Sequence, residues 1–221
     1  MLSGVVFDFD GVIVDSHPAH MRAWRKFLDS VGQQVSEKEL EFVLDGRKRD
    51  DILRHFLGEL CEEQVLVYGQ RKEQIFRSEA QNVRPMDGLR DFLDELDDAS
   101  VASGLASSGS RSRVDFFLER LKLRKRFRAV VTGDEVARSK PDPAIFLRAA
   151  EELRIRPAEL LAVEDAVSGI RAAKSAGMKC LGIAPGNRVS TLLDAGAIHV
   201  VPNFVALSFG DVRELFADAA G

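Results

Sequence analysis

The sequence predicts an α/β protein in which a doubly wound parallel sheet carries an inserted all-helical cap. From about residue 83 onward, short apolar runs alternate with segments of helical periodicity. That alternation is typical of a parallel sheet covered by helices on both faces. Between the first apolar run and residue 80, the periodic segments have the spacing of helices. We therefore expect a core domain formed by residues 1–15 and 83–221, and a helical cap domain formed by residues 16–82.

Composition and charge limit the classes of function. The 221 residues are 45% hydrophobic, which is enough for a sizeable core. The net charge of -4 argues against nucleic acid as the main partner. No apolar stretch approaches the ~20 residues of a membrane span, and the first apolar run lacks the basic leader of a signal peptide. Cys61 and Cys180 have no metal-ligand spacing. We expect a cytoplasmic monomer without a membrane partner.

The first predicted strand ends in two acids. Residues 5–7 form a β-branched and aromatic run, and Asp8, Asp10 and Gly11 follow it. Because side chains alternate along a strand, Asp8 and Asp10 can face the same side. Two carboxylates at a buried strand end repel each other unless a cation or another partner compensates them. The carboxyl ends of strands are also where ligands bind in open α/β sheets.

The helical insert is predicted to cover this edge of the sheet. We expect its helices over residues 19–31, from Ser36 to 44 with Ser36 and Glu39 as a capping box, from Asp50 or Asp51 to 57, and over 62–80. The two connections near residues 14–17 and 81–84 form the expected hinge. A cap hinged above a charged site can admit substrate and then exclude water.

Strands and helices alternate through the rest of the chain. The strands are expected at residues 101–106, 129–132, 160–163, 180–183 and 199–201. The helices are expected around residues 89–96, 114–121, 143–153, 168–176, 192–193 and 212–216, with Ser168 as a helix cap.

Polar residues stand at three further strand ends. Ser107 follows the second strand, and a hydroxyl beside exposed N–H groups can hold a phosphate oxygen. Lys140 directly precedes Pro141, which disfavours helix at the preceding residue, so we expect Lys140 on an extended loop where its ammonium can neutralise charge on a reacting group. Glu164 and Asp165 close another strand, and oxygen ligands of this kind suit Mg²⁺.

Taken together and in this order, these residues resemble the haloacid dehalogenase superfamily of phosphotransferases. Its four motifs match Asp8-Phe9-Asp10-Gly11, Ser107, Lys140 and Glu164-Asp165. The resemblance implies a Rossmann-like core, and the insert resembles the family's type-one cap. Within the superfamily the sequence is similar to the β-phosphoglucomutase and sugar phosphatase group, on the basis of residues 20–24, Gly46, Arg49 and Lys72.

The resemblance implies a role for each motif residue. Asp8 is the nucleophile that forms an aspartyl phosphate, and Asp10 is the general acid and base. Ser107 and Lys140 complete the catalytic set. The cofactor is Mg²⁺, held by Asp8, Asp10 through its backbone carbonyl, and Asp165, with Glu164 as a ligand or an orienting residue.

The same resemblance implies a substrate site for a small phosphorylated metabolite. Its residues are Ser16, His20, Gly46, Arg49, Lys72, Ser108, Gly109 and Arg111. Arg49 resembles the residue that grips a sugar phosphate in the mutase, a contact that suits a guanidinium. The sequence departs from the mutase at Gly109-Ser110-Arg111, where the mutase holds the distal phosphate with a Ser-Lys-Asn-like stretch. Arg111 is the candidate substitute, and this departure argues against mutase activity.

Three functions remain to be weighed. We expect a Mg²⁺-dependent phosphatase of small phosphorylated metabolites, above all sugar phosphates. The first alternative is a β-phosphoglucomutase-like isomerase, in which a sugar hydroxyl rather than water takes the phosphoryl group. The remote alternative is a receiver-like phospho-switch without enzymatic activity, which shares a phosphorylated aspartate but is shorter and has no cap. An EF-hand at Asp8 is excluded because its glycine is misplaced.

Overall fold

The computed structural model describes residues 1–218, and within that range it contains a six-stranded parallel sheet. The strands are β1 Gly4–Phe7, β2 Ala102–Ser107, β3 Ala129–Thr132, β4 Leu160–Glu164, β5 Lys179–Ile183 and β6 His199–Val201. They lie in the order β3-β2-β1-β4-β5-β6, and each neighbouring pair is parallel. The predicted doubly wound parallel sheet is confirmed.

Helices cover both faces of the sheet. Those that follow the cap are α5 Leu89–Asp98, α6 Arg111–Arg120, α7 Ala144–Leu153, α8 Val167–Ser175, α9 Val189–Ala195 and α10 Phe209–Asp218. Neighbouring strand residues point to opposite faces, so Phe7 packs with Phe92 and Phe204 while Val6 packs with Phe146 in a separate cluster. Strands β1 to β4 are thereby buried on both sides, as a parallel sheet requires, while the edge strand β6 is partly exposed.

The insert between β1 and β2 is helical, as the sequence predicts. Its elements are α1 His17–Ser30, α2 Glu37–Leu40, a 3₁₀ turn Glu41–Leu44, α3 Arg49–Leu57 and α4 Glu62–Glu79. The predicted capping box is present, since Ser36 and Glu39 exchange hydrogen bonds at the start of α2. Trp24, Phe27 and Leu53 belong to an apolar cluster of the insert's own residues.

The insert lies over the carboxyl edge of the sheet. The Ser108 hydroxyl donates to the Gly46 carbonyl at 2.6 Å, and Lys48 donates to the Val136 carbonyl. Ser168, expected as a helix cap, instead donates to the Asp45 carbonyl of the insert, and Ala166 is the residue that caps α8. That expectation was wrong because the hydroxyl has a partner in a distant part of the sequence.

The two connections between insert and sheet run side by side. Val14 and Pro85 pair as an isolated antiparallel bridge, and Asp15 N–H donates to the Arg84 carbonyl at 3.0 Å. The domain boundaries at residues 15/16 and 82/83 stay a prediction. No helix within residues 1–218 combines the length and the apolar character that a membrane span needs.

The sheet order places a crevice where β1 and β4 meet. The chain runs outward from β1 to β3 and then crosses to β4, so the direction of winding reverses between β1 and β4. Phe7 is in register with Val163, and the residues that follow them at this edge are Asp8 and Glu164. In doubly wound sheets, ligands bind at such a reversal point.

Candidate active site

Three buried carboxylates meet at the reversal point. Asp8 follows β1, Glu164 ends β4 and Asp165 comes next, and each has an oxygen within 4.8 Å of the others' oxygens. They are 6%, 0% and 4% exposed. We call these three residues the anionic cluster. The carboxylate of Asp10 is not part of this cluster within the described residues, and the role expected of its backbone carbonyl as a metal ligand stays a prediction.

Lys140 is the cation that contacts the anionic cluster. Its Nζ donates to Asp8 Oδ1 at 2.5 Å, to Glu164 Oε1 at 2.6 Å and to the Ala106 carbonyl at 3.1 Å. Burial alone would lower the pKa of Lys140, but Asp8 and Glu164 reverse this and raise it above its ordinary value. The ammonium therefore stays charged in a side chain that is 1% exposed.

The anionic cluster holds three carboxyl groups, of which Lys140 contacts two. Burial raises the pKa of Asp8 well above its ordinary value; Glu164 and Asp165 add to the rise, and Lys140 opposes it. Burial likewise raises the pKa of Glu164. A group of buried oxygen donors with excess negative charge has the chemistry to hold a hard divalent cation, so the residues present fit such an ion.

Backbone and glycine geometry keep the anionic cluster in place. Glu164 Oε2 accepts hydrogen bonds from the N–H groups of Asp165 and Ala166 at 3.0 and 3.1 Å. Gly11 has a φ of +80°, and a Cβ there would lie 2.5 Å from both Asp165 Oδ2 and His17 Nε2. A side chain at residue 11 would thus collide with His17 Nε2 and Asp165 Oδ2, which lie 2.9 Å apart.

Asp10 enters a different environment. β1 ends at Phe7, so the strand alternation expected to turn Asp8 and Asp10 the same way does not extend to Asp10. The Asp10 carboxylate accepts hydrogen bonds from Ser16 Oγ at 2.7 Å and from Arg113 Nη2 at 2.7 Å. His20 Nε2 lies 3.1 Å from its Oδ1. Burial would raise the pKa of Asp10, but Arg113 and then His20 outweigh it and hold the pKa well below its ordinary value.

The partners of Asp10 come from both the insert and the sheet domain. Arg113 Nη1 lies 2.8 Å from His20 Nε2, and Lys72 Nζ lies 3.2 Å from His20 Nδ1. Burial, together with the nearby Lys72 charge, lowers the pKa of His20 to about 3, so its ring is neutral. Burial and the Arg113 charge lower the pKa of Lys72 to about 7. We call Asp10, His20, Lys72 and Arg113 the hinge cluster.

A cavity of about 340 Å³ connects the two clusters, which is within the range of small-molecule sites. Asp8, Asp165 and all four residues of the hinge cluster line it. The insert adds further charged side chains, namely Arg47, Lys48, Arg49, Asp50 and Glu73. The Arg49 guanidinium lies against Gly69 of α4, where a Cβ would come within 2.5 Å of it.

The predicted site residues fall into three groups. Those that line the cavity are Asp8, Asp10, His20, Gly46, Arg49, Lys72, Ser108, Gly109 and Asp165. Those that contact a lining residue from behind are Ser16, Ser107, Lys140 and Glu164. Arg111 belongs to neither group, because its guanidinium contacts Glu135 and the Val130 carbonyl. That placement does not support Arg111 as the residue for a distal phosphate.

Sequence reasoning missed Arg113, which is 8% exposed and reaches the cavity that Arg111 does not. A weak signal for it exists. Arg113 stands four residues before Phe117, a buried residue of α6, so both lie on the same face of the helix. Gly109 leaves the space for its guanidinium, since a Cβ there would lie 2.2 Å from Arg113 Nη2.

Comparison with known proteins identifies this arrangement. Residues 5–183 match the family model of the haloacid dehalogenase-like hydrolases. The chain belongs to that family. A haloacid dehalogenase-like fold with a helical cap is also what the sequence resemblance implied, so that expectation is confirmed.

Relatives within the haloacid dehalogenase-like hydrolases include both phosphatases and mutases. The chain is 32% identical over 214 residues to the phosphorylated carbohydrates phosphatase of Thermotoga maritima, covering 90% of this chain and 94% of that protein. It is 33% identical over 196 residues to the β-phosphoglucomutase of Bacillus subtilis, covering 84% of each. A crystal structure of β-phosphoglucomutase from Clostridium difficile superposes with a TM-score of 0.89 at 27% identity, covering 100% of this chain and 99% of that one.

Family membership settles the broad class. The protein is an enzyme of the phosphotransferase type, and its similar relatives are phosphatases and mutases of phosphorylated carbohydrates. The receiver-like phospho-switch is thereby ruled out.

Proposed function

We propose that this protein is a Mg²⁺-dependent phosphatase of small phosphorylated metabolites, above all sugar phosphates. The observation that carries the proposal is the environment of Asp8. Its carboxylate lines the cavity, is held by Lys140 and lies beside two further buried acids. A carboxylate needs no base to become a nucleophile, and the surrounding charges fit the transfer of a phosphoryl group.

The anionic cluster is the proposed site of Mg²⁺. Asp8, Glu164 and Asp165 would hold the ion with carboxylate oxygens, and the Asp10 backbone carbonyl is the further ligand implied by the family resemblance. When bound, the ion would neutralise charge on the phosphate oxygens. The size of the cavity and the basic residues in its wall, Arg47, Lys48 and Arg49 among them, also suit the kind of substrate named for the Thermotoga maritima relative, a phosphorylated carbohydrate.

In the first half-reaction, an Asp8 oxygen attacks phosphorus and the bond from phosphorus to the substrate oxygen breaks. Lys140 favours the ionised form of Asp8 and holds its carboxylate in position, and Ser107 orders the loop beyond β2 by accepting a hydrogen bond from Gly109 N–H at 3.0 Å. The leaving oxygen takes a proton from Asp10. Because Arg113 holds Asp10 ionised, this step requires Asp10 to be protonated and drawn away from Arg113 as substrate binds.

In the second half-reaction, water attacks the phosphorus of the aspartyl phosphate and gives its proton to Asp10. The bond from Asp8 to phosphorus breaks and inorganic phosphate leaves. Here the low pKa of Asp10 is suited to the task, since the carboxylate is ionised and ready to accept a proton. Ser108, Gly46 and Arg49 of the cavity wall would contact the substrate.

The test is phosphate release from a panel of sugar phosphates with Mg²⁺. We expect free phosphate from several members, loss of release after the metal is removed with a chelator, and recovery when Mg²⁺ is returned. Asp8→Asn keeps the size of the side chain and should lower turnover by about 10⁴-fold, as expected for a lost nucleophile. No phosphate from any member, or unchanged turnover in Asp8→Asn, would contradict the proposal.

The same assay separates the mutase alternative. The β-phosphoglucomutases of Bacillus subtilis and Clostridium difficile favour it, because they are similar in sequence and in fold. A mutase converts glucose 1-phosphate to glucose 6-phosphate with little free phosphate. The placement of Arg111 outside the cavity wall favours the phosphatase.

A further inference from the structure

On the insert side of the cavity, one lining residue has a buried carboxylate oxygen that lacks a hydrogen-bond partner among the described residues. Glu73 lies on α4 and lines the cavity, and its Oε1 is buried with no hydrogen-bond partner among residues 1–218. Lys72 precedes it on the same cavity wall, and Gly69 lies one helical turn before it. A buried polar atom left unpaired costs free energy, and such atoms are rare in folded proteins.

The cations on this side of the cavity already have other contacts. Arg49 donates through Nε to Asp50 Oδ1 at 2.9 Å, while its guanidinium lies against Gly69. Lys72 lies 3.2 Å from the imidazole of the hinge cluster and is itself 2% exposed. Within residues 1–218 no group donates a hydrogen bond to Glu73 Oε1. Because Glu73 lines the cavity, a ligand bound there is the remaining source of a donor.

The chemistry of a carboxylate decides which ligand group suits this position. An ionised carboxylate accepts hydrogen bonds and donates none, so a hydroxyl satisfies it. A phosphate group is also anionic and rich in acceptor oxygens, so it would be repelled there. We propose that Glu73 is a specificity-determining residue that accepts a hydrogen bond from a hydroxyl of the carbohydrate and excludes a second phosphate group from that part of the cavity.

This inference rests on the proposed phosphatase function and narrows its substrates to monophosphates of polyhydroxy compounds. It also bears on the mutase alternative. A sugar phosphate that accepts a further phosphoryl group from Asp8 becomes a sugar bisphosphate, as the O–P bond forms on its free hydroxyl, the hydroxyl proton passes to Asp10 and the bond to Asp8 breaks. A residue that excludes a second phosphate would hinder that intermediate.

The test compares a monophosphate with a bisphosphate in three proteins. We would measure kcat/KM for glucose 6-phosphate and for fructose 1,6-bisphosphate in the wild type, in Glu73→Gln and in Glu63→Gln. Glutamine keeps the size and one acceptor oxygen of Glu73 but removes its charge. Glu63 is the matched control, because it is an exposed acid on the same helix and does not line the cavity.

We expect the wild type to favour the monophosphate by about tenfold or more, and Glu73→Gln to shift the ratio toward the bisphosphate by about tenfold. Glu63→Gln should keep the wild-type ratio. A ratio in Glu73→Gln within about twofold of the wild-type ratio overturns the inference, and so does a wild type that hydrolyses both compounds equally well.

Failure of the proposed phosphatase function gives a different result from failure of the inference on Glu73, because the wild type then releases no phosphate from any ester, including p-nitrophenyl phosphate. The dissociation constants of the same two sugar phosphates, measured by titration calorimetry, then take the place of kcat/KM. The same shift between wild type and Glu73→Gln supports the role of Glu73 in specificity. An unchanged ratio, or no binding of either compound, overturns it.

Discussion

Asp8 and Asp10 leave the same strand two residues apart and enter opposite electrostatic surroundings. Around Asp8, Glu164 shares the ammonium of Lys140 and Asp165 adds a third buried carboxyl group. Around Asp10, a guanidinium and a hydroxyl donate to one carboxylate. Burial raises the pKa of Asp8 well above its ordinary value, whereas burial of Asp10 is outweighed by Arg113 and the pKa falls well below it.

The contrast between Asp8 and Asp10 shows how the end of one strand can place groups for two different steps of a reaction. The anionic cluster has an excess of negative charge, which favours binding of a cation and keeps a nucleophilic oxygen beside it. The hinge cluster has an excess of donors, which keeps Asp10 ionised and joins the insert to the sheet domain. A phosphoryl group between them would meet a nucleophile on one side and a proton acceptor on the other.

The largest expected effect on stability is in the anionic cluster. Lys140→Met removes the buried ammonium and leaves Asp8 and Glu164 without its charge. Removal of one partner from a buried ion pair costs about 3–5 kcal/mol, so the free energy of unfolding should fall by that amount in the absence of metal. Denaturant titration measures the change.

Added Mg²⁺ gives this prediction its control. If the cluster is as anionic as the structure indicates, saturating Mg²⁺ should restore part of the lost stability of Lys140→Met, by about 2.7 kcal/mol at a hundredfold excess over the dissociation constant. A variant as stable as the wild type without metal would show that the carboxylates carry little net charge, and the comparison with Asp10 would fail.

The next effect is expected in the hinge cluster. Arg113→Met removes the guanidinium that donates to Asp10 and contacts His20. Since Asp10 then loses its fixed position, we expect kcat to fall by about 10²-fold, the size of effect that misplacement of a catalytic group produces. KM should change less. Steady-state kinetics on the same sugar phosphates gives both values.

Two further variants make the role of Arg113 distinguishable from a general loss of structure. Arg113→Lys keeps the charge but not the forked geometry, so it should recover part of kcat. Arg111→Met, on the same helix, breaks the contact with Glu135 outside the cavity wall and should have a clearly smaller effect on kcat. Equal losses in Arg111→Met and Arg113→Met would contradict the placement of the two arginines.

The strand ends of this site were predictable from the sequence, and the hinge cluster was not. Asp8, Lys140 and Glu164 each stand at a boundary between an apolar run and a helix, a local pattern that places them at one sheet edge. Even the weak strand former β2, with the sequence Ala-Ser-Gly-Leu-Ala-Ser, differs from its predicted bounds by one residue at each end.

Side-chain contacts between segments that are distant in the sequence leave no local pattern from which they could be predicted. Three arginines occur in α6, and the spacing of Arg113 from Phe117 is only a weak local signal, so the packing against the insert decides which arginine reaches Asp10. The partner of Ser168 was unpredictable for the same reason, because its hydroxyl donates to a carbonyl of the insert rather than capping its own helix. Strand alternation also failed for Asp10 because β1 ends at Phe7.

The smallest expected effect is a change in the free energy of unfolding with pH. This change tests how far the hinge cluster is removed from water. Burial, together with the Arg113 charge, lowers the pKa of Lys72 from 10.5 to about 7. Between these two values the unfolded chain binds more protons at Lys72 than the folded protein does. The contribution of Lys72 to stability therefore rises with pH across this window and is lost as the pH falls toward 7. The slope approaches about 1.4 kcal/mol per pH unit.

Denaturant titrations at about pH 7.5 and about pH 8.5 should show this slope in the wild type, and Lys72→Met should lack it, because methionine has no proton to lose. The difference between the two slopes isolates Lys72 from other groups that titrate in the same range. Equal slopes would mean that Lys72 keeps an ordinary pKa in the folded protein. The hinge cluster would then be hydrated, and the contrast between Asp8 and Asp10 would rest on Arg113 alone.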